Sequence, residues 1–157
     1  MSDNTDYTAA LTTAWEELPK PKTLPEGSWL VVLRNAVYIE PKQADHSPKV
    51  VYFYKAKEPM NDVSSVAIEA LGADYDYSIN DLTFTQYLES TADWQKKVLP
   101  FMAKHSGFER KGNPQESLKG MRNLEIVSYL SLKQWTDKIT NEEHVDNAMS
   151  GFVALDS

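Results

Sequence analysis

Five stretches of this chain carry the residue pattern of β-strands, and their spacing limits the folds available. The strongest, Ser28 to Ile39, follows the turn Leu24-Pro25-Glu26-Gly27 and is apolar on both sides. Trp29, Val31, Leu33 and Val37 line one face, and Leu30, Val32, Arg34, Ala36 and Tyr38 the other. A polar, proline-bounded loop over 40–48 separates it from Lys49 to Lys57, so the pair reads as a long hairpin. Asp81 to Leu88 alternates cleanly, Leu124 to Leu132 repeats the pattern, and Asn147 to Leu155 supplies a fifth strand. Five widely spaced strands with helices between them fit a mainly β fold, a small β-barrel with helical insertions, better than a parallel α/β sheet.

The helices are short. Tyr7, Leu11, Ala14, Trp15 and Leu18 fall at helical spacing, which predicts an amphipathic helix over 6–18 that Pro19 and Pro21 end. Residues 1–23 thus read as a helix and lead-in to one domain over 24–157. Asn61 or Asp62 is positioned to cap a helix carrying Val63, Val66, Ala67, Ala70 and Leu71, stopped by Gly72. Ser90 or Thr91 opens another along Trp94, Val98, Phe101, Met102 and His105, where Pro100 predicts a kink or two short pieces. Asn113-Pro114-Gln115-Glu116 has the cap, first-turn proline and capping-box acid of a further short helix that Gly120 closes.

With 157 residues, 41% of them hydrophobic, the chain can bury one proper core. The absence of cysteine excludes disulfides, thiolate metal sites and a thiol nucleophile. No apolar run reaches the roughly 18–20 residues of a membrane span, and Met1 to Asp6 shows no basic-then-apolar signal, so a cytoplasmic location is expected. The formal charge of −7 leans against a phosphate partner on the average field, but the average hides a pattern. Residues 19–57 carry seven bases against three acids, and 94–122 seven against two. Between them, 58–93 hold eight acids and no Lys or Arg. Such blocks can give one molecule a basic face and an acidic face.

The tyrosines point to chemistry. If Val31/Leu33, Val51/Phe53, Leu82/Phe84 and Leu124/Ile126 form the core, then Tyr38, Tyr52, Tyr54, Tyr87 and Tyr129 face outward. Arg34 shares that face, with Lys49, Lys55 and Lys57 at the ends of the second strand. Bases of any identity stack on exposed aromatic rings for roughly 1–3 kcal/mol each while cations hold the phosphates. The competing reading is that tyrosine favours strands and the predicted helices cover these rings. A wrong face on one strand would dissolve the row.

Other constellations are weaker. Glu69, Asp74, Asp76 and Asp81 could hold a divalent ion in a nuclease-like site, though such acids are usually a solvated loop. His46, His105 and His144 are too scattered to form a metal set or a triad. No GxGxxG, GxxxxGK[ST] or GxSxG motif occurs, so neither a cofactor nor an enzymatic activity is expected. Lys96-Lys97 and Arg110-Lys111 read as exposed charges that could extend a phosphate path.

Trp15 ahead of Leu24-Pro25-Glu26-Gly27-Ser28-Trp29 resembles the opening of the phage-encoded OB-fold single-stranded DNA-binding proteins. Trp94…Leu99-Pro100-Phe101…Gly107-Phe108, Ser117-Leu118-Lys119-Gly120 and a closing strand near Asn147 are similar to later parts of that family, over about 15–155. The resemblance implies an OB-like five-stranded barrel binding single strands across one face, in DNA replication or recombination. It carries over structural positions only: Pro25 and Gly27 as the turn, Gly107 as a helix stop and Gly120 as a strand opener. Two features depart from it. The acidic helical insertion at about 58–80 within 58–93 is long for an inter-strand connection, and could exclude DNA or bind a partner. Ser150 to Ser157 lack the acidic tail with a terminal aromatic that many such proteins use to recruit replication enzymes.

The expectation is a non-enzymatic, sequence-tolerant single-stranded DNA-binding protein, with Arg34, Tyr38, Lys49, Tyr52, Tyr54, Lys55, Lys57 and Tyr87 as its contacts. Replication or recombination proteins are candidate partners, and an open barrel edge would admit a homodimer. The alternative is an acidic protein–protein interaction module, such as a DNA mimic or virion-associated factor, acting through 58–93.

Overall fold

A computed structural model describes residues 22–43 and 46–155; the helix expected over 6–18 lies outside them. Five antiparallel strands form one sheet: β1 (Gly27–Ile39), β2 (Lys49–Pro59), β3 (Asp81–Tyr87), β4 (Glu125–Thr136) and β5 (Glu143–Val153), in the spatial order β3-β2-β1-β4-β5. Helix α1 (Ser65–Leu71) and a 3₁₀ turn (Tyr77–Ile79) connect β2 to β3. A π-helical turn (Trp94–Val98) running into α2 (Leu99–Ala103), then α3 (Pro114–Lys119), connects β3 to β4. β1 pairs with both β2 and β4, helices lie between β3 and β4, and β3 and β5 sit at the two free edges. That is a barrel-like, OB-like arrangement with an unclosed seam. Apolar packing spans the seam: Phe84 of β3 and Phe152 of β5 lie 4.6 Å apart, and Phe101 of α2 packs on both, at 5.1 and 4.8 Å.

The interior takes Trp29, Val31 and Leu33 from β1, Ile126 and Leu130 from β4, and Val98, Met102, Leu118 and Met121 from the cap between β3 and β4. β2 overturns the predicted face. Its inward residues are Val50, Tyr52, Tyr54 and Ala56, while Phe53 points out. Tyr52 and Tyr54, expected in solvent, are 0% and 1% exposed. Their hydroxyls can be buried because each finds a partner. Tyr52 donates to Gln86 Oε1 at 2.7 Å, and the Tyr54 hydroxyl meets His105 Nε2 at 2.7 Å.

β1 changes parity along its length. Trp29, Val31 and Leu33 point inward, but a register shift between Leu33 and Asn35 leaves Arg34 unpaired and turns Ala36 inward. Tyr38 stays 43% exposed at the far end of the strand, with its ring tilted against Trp94 of the cap at 5.9 Å. A second shift, at Leu30/Val31, leaves Lys57 unpaired on β2.

The helix signals held with local changes. Ser64, not Asn61 or Asp62, caps α1 by accepting from the Ala67 amide. Asp62 is engaged by Ser28, whose amide and hydroxyl donate to its carboxylate at 3.0 and 2.8 Å. Those bonds hold the Asp62 carboxyl below its ordinary range. Pro100 does divide its helix into two short pieces, the wide π turn ending just before it. Asn113 caps α3 as expected, accepting from the Glu116 amide. β4 and β5 are each longer than their alternation predicted and extend past the barrel as a hairpin turning at Asp137–Glu142.

Candidate nucleic-acid interface

The bulges at Arg34 on β1 and Lys57 on β2, with the parity of β2, create one outward face on β1–β2–β3. Cross-strand partners share a face, so the register places Lys49 beside Tyr87 and Ile39, Val51 beside Thr85 and Val37, and Phe53 beside Thr83 and Asn35. Lys55 lies beside Asp81 and Val32 in the same row. Phe53 and Tyr87 remain 38% and 57% exposed. Tyr87 faces a point four residues along β2 from Phe53, or about 13 Å. Lys49 Nζ sits 6.0 Å from the Tyr87 ring centroid, a cation–π contact at the rim of the 40–48 loop.

The other end of the face is cationic. Arg34 and Lys57 occupy the bulge positions, where an unpaired residue is re-aimed away from the ladder. With Lys55 they line a cleft of about 610 Å³ walled by Tyr75, Asp76, Tyr77 and Ser78. Each of these cations has a neighbour. Lys55 pairs with Asp81, Lys57 Nζ lies 2.8 Å from Glu125 Oε2, and Arg34 Nη1 donates to Asn123 Oδ1 at 3.1 Å. The Glu125 carboxylate raises the Lys57 ammonium above its ordinary value. The Ser78 hydroxyl and amide donate to Asp76 at 2.6 and 3.0 Å and hold it ionised, below the usual carboxylate range.

Of the expected contact residues, Arg34, Lys49, Lys55, Lys57 and Tyr87 come together on this face. Tyr52 and Tyr54 belong to the core, and Tyr38, though exposed, lines a separate surface groove with Trp94 and Leu118. Tyr129 does face outward on β4, but its hydroxyl donates to Glu26 Oε1 at 2.6 Å. Sequence reasoning missed Phe53, which it placed in the core. The signal was present: Lys49, Lys55 and Lys57 share the parity of Phe53, opposite to Tyr52 and Tyr54. It also missed Trp135, on the β4–β5 hairpin, which stacks on His144 at 4.6 Å and donates its indole N–H to the Asp146 carboxylate.

Of the acids Glu69, Asp74, Asp76 and Asp81, Asp76 is engaged by Ser78 and Asp81 by Lys55. Among the described residues no three acidic or histidine side chains converge to hold a metal, and no helix is long and apolar enough to cross a membrane. No protein-family model and no curated protein matches the chain.

Proposed function

We propose that the protein binds single-stranded DNA with little sequence preference. Bases would stack on Phe53 and Tyr87, and Lys49, Arg34, Lys55 and Lys57 would engage the phosphates. The observation that carries this reading is the pair of exposed aromatic rings on the outer β2–β3 face, with cations at both ends. That face is where OB-like barrels bind oligonucleotides. Stacking is indifferent to base identity because every base has a π face. The role is that of a strand-coating protein in DNA replication or recombination, as the resemblance implies.

The test is titration with a labelled oligothymidine. Phe53→Ala and Tyr87→Ala should each weaken binding by about 5- to 100-fold, the loss of one stacked base, with little change in melting temperature. Unchanged affinity in both variants would remove the proposed contacts. A second reading has one observation in its favour. The β4–β5 hairpin exposes Leu132, Trp135, Val145 and, almost fully, Ile139, an apolar tip suited to a protein partner. A flat oligothymidine titration would favour that interaction module.

A further inference from the structure

The cationic end of the face is electrically balanced by the protein itself. Lys55 pairs with Asp81 on β3 and Lys57 with Glu125 on β4. Asp76, fixed by Ser78, borders the same cleft as Arg34 and Lys55. Two of the three cations are thus paired with carboxylates, a third carboxylate lies at the cleft wall, and Arg34 bonds the neutral Asn123 amide. Two of these acids, Asp76 and Asp81, come from the 58–93 block that carries no Lys or Arg. Lys55 lies directly opposite Asp81 on the adjacent strand, so that pairing follows from the sheet register, while Lys57 reaches Glu125 across β1. The cations at the other end differ: Lys49 lies against the Tyr87 ring instead of a carboxylate.

A phosphate approaching Lys55 or Lys57 meets a cation already engaged and an anion beside it. We infer that Asp81 and Glu125 are built-in counterions that a nucleic-acid strand must displace, setting the affinity of this face well below what its cations alone would give. The inference rests on the single-strand reading above and adds how that site is regulated. Displacement is feasible because the partners are exposed, and exposed ion pairs are weak enough to exchange for a phosphate. A strand held this way docks first on Lys49, Tyr87 and Phe53, and engages the Arg34–Lys57 end by exchanging one anion for another. The arrangement favours rapid release over tight coating.

The experiment compares wild type, Asp81→Asn, Glu125→Gln and the double variant by anisotropy with labelled oligothymidine, at low and at moderate salt. Glu69→Gln, an exposed position on α1, is the control for the change in total charge. Each single variant should bind about two- to fivefold tighter than the control and the double variant about tenfold tighter. The gain should shrink as salt rises. Binding by the variants alone, with none by wild type, would support the inference in its strongest form. Wild-type binding that Asp81→Asn and Glu125→Gln tighten no more than Glu69→Gln would overturn it and leave the single-strand reading standing. No binding by any of the proteins would overturn the single-strand reading and the inference with it.

Discussion

Tyr54 and His105 form a buried polar pair that neither residue could support alone. The His105 Nδ1 lies 3.2 Å from both the Phe101 and Met102 carbonyls, which assigns the ring proton there and leaves Nε2 to accept from the Tyr54 hydroxyl. Burial disfavours the imidazolium and lowers the His105 pKa to about 4. The unfolded chain, with an ordinary value near 6.5, then binds a proton that the folded state refuses. Stability from this group is fully present above about pH 6.5 and declines as pH falls toward about 4, by roughly 3 kcal/mol in all. Urea melts at several pH values should show this fall in wild type and a flatter profile in His105→Gln. Equal profiles would mean that His105 titrates normally. Tyr52 and Tyr54 also show why the sequence misled at this scale. Val51 and Phe53 are as apolar as the inward set, so alternation alone could not choose a face. The partners that make burial of the hydroxyls tolerable, Gln86 and His105, lie 34 and 51 residues away.

At the scale of elements, strand existence was legible and strand irregularity was not. All five strands arise where alternating apolar residues predicted them, but the bulge at Arg34 is visible only in the pairing with β2. It turns Ala36 into the core, sets the exposed Tyr38 beside Trp94 and puts Arg34 on the open face, without altering any local signal. The glycine placed ahead of the first strand opens β1, and it is required for two reasons. Gly27 has φ +142°, and a Cβ there would lie 2.6 Å from Val63 Cγ2. Gly27→Ala should cost about 1–3 kcal/mol, through backbone strain and displacement of Val63 from the end of the barrel. Thermal melting checks this, and a variant as stable as wild type would show that Val63 packs on Gly27 more loosely than the contact implies. The extra length of β4 and β5 was missed because the paired residues beyond Leu132, such as Lys133 with Asp146 and Thr136 with Glu143, are polar. They belong to a two-stranded ribbon with no core to impose alternation.

For the whole molecule, the blocks of charge were plain in the sequence, yet they do not sort into one basic and one acidic face. Folding brings Asp76 and Asp81 against the cations of β1 and β2, so opposite blocks meet along one groove. The salt dependence of oligonucleotide binding should therefore be shallow. If Arg34, Lys49, Lys55 and Lys57 each neutralise one phosphate, the log–log slope should not exceed about 3, from about 0.7 per phosphate on a single strand. Titrations across a range of salt concentrations check this. A much steeper slope would bring in the cations at Lys96, Lys97, Arg110 and Lys111.

The chain's own residue order determined the class of fold, the number and approximate position of its strands and the cap at Asn113. Those features depend on interactions among near neighbours, and period-two alternation or a single capping side chain records them. Which face of β2 meets solvent, where β1 changes parity and which carboxylate answers which lysine were decided only in three dimensions. Each depends on pairing between residues tens of positions apart. A shift of one residue in that pairing exchanges inside for outside.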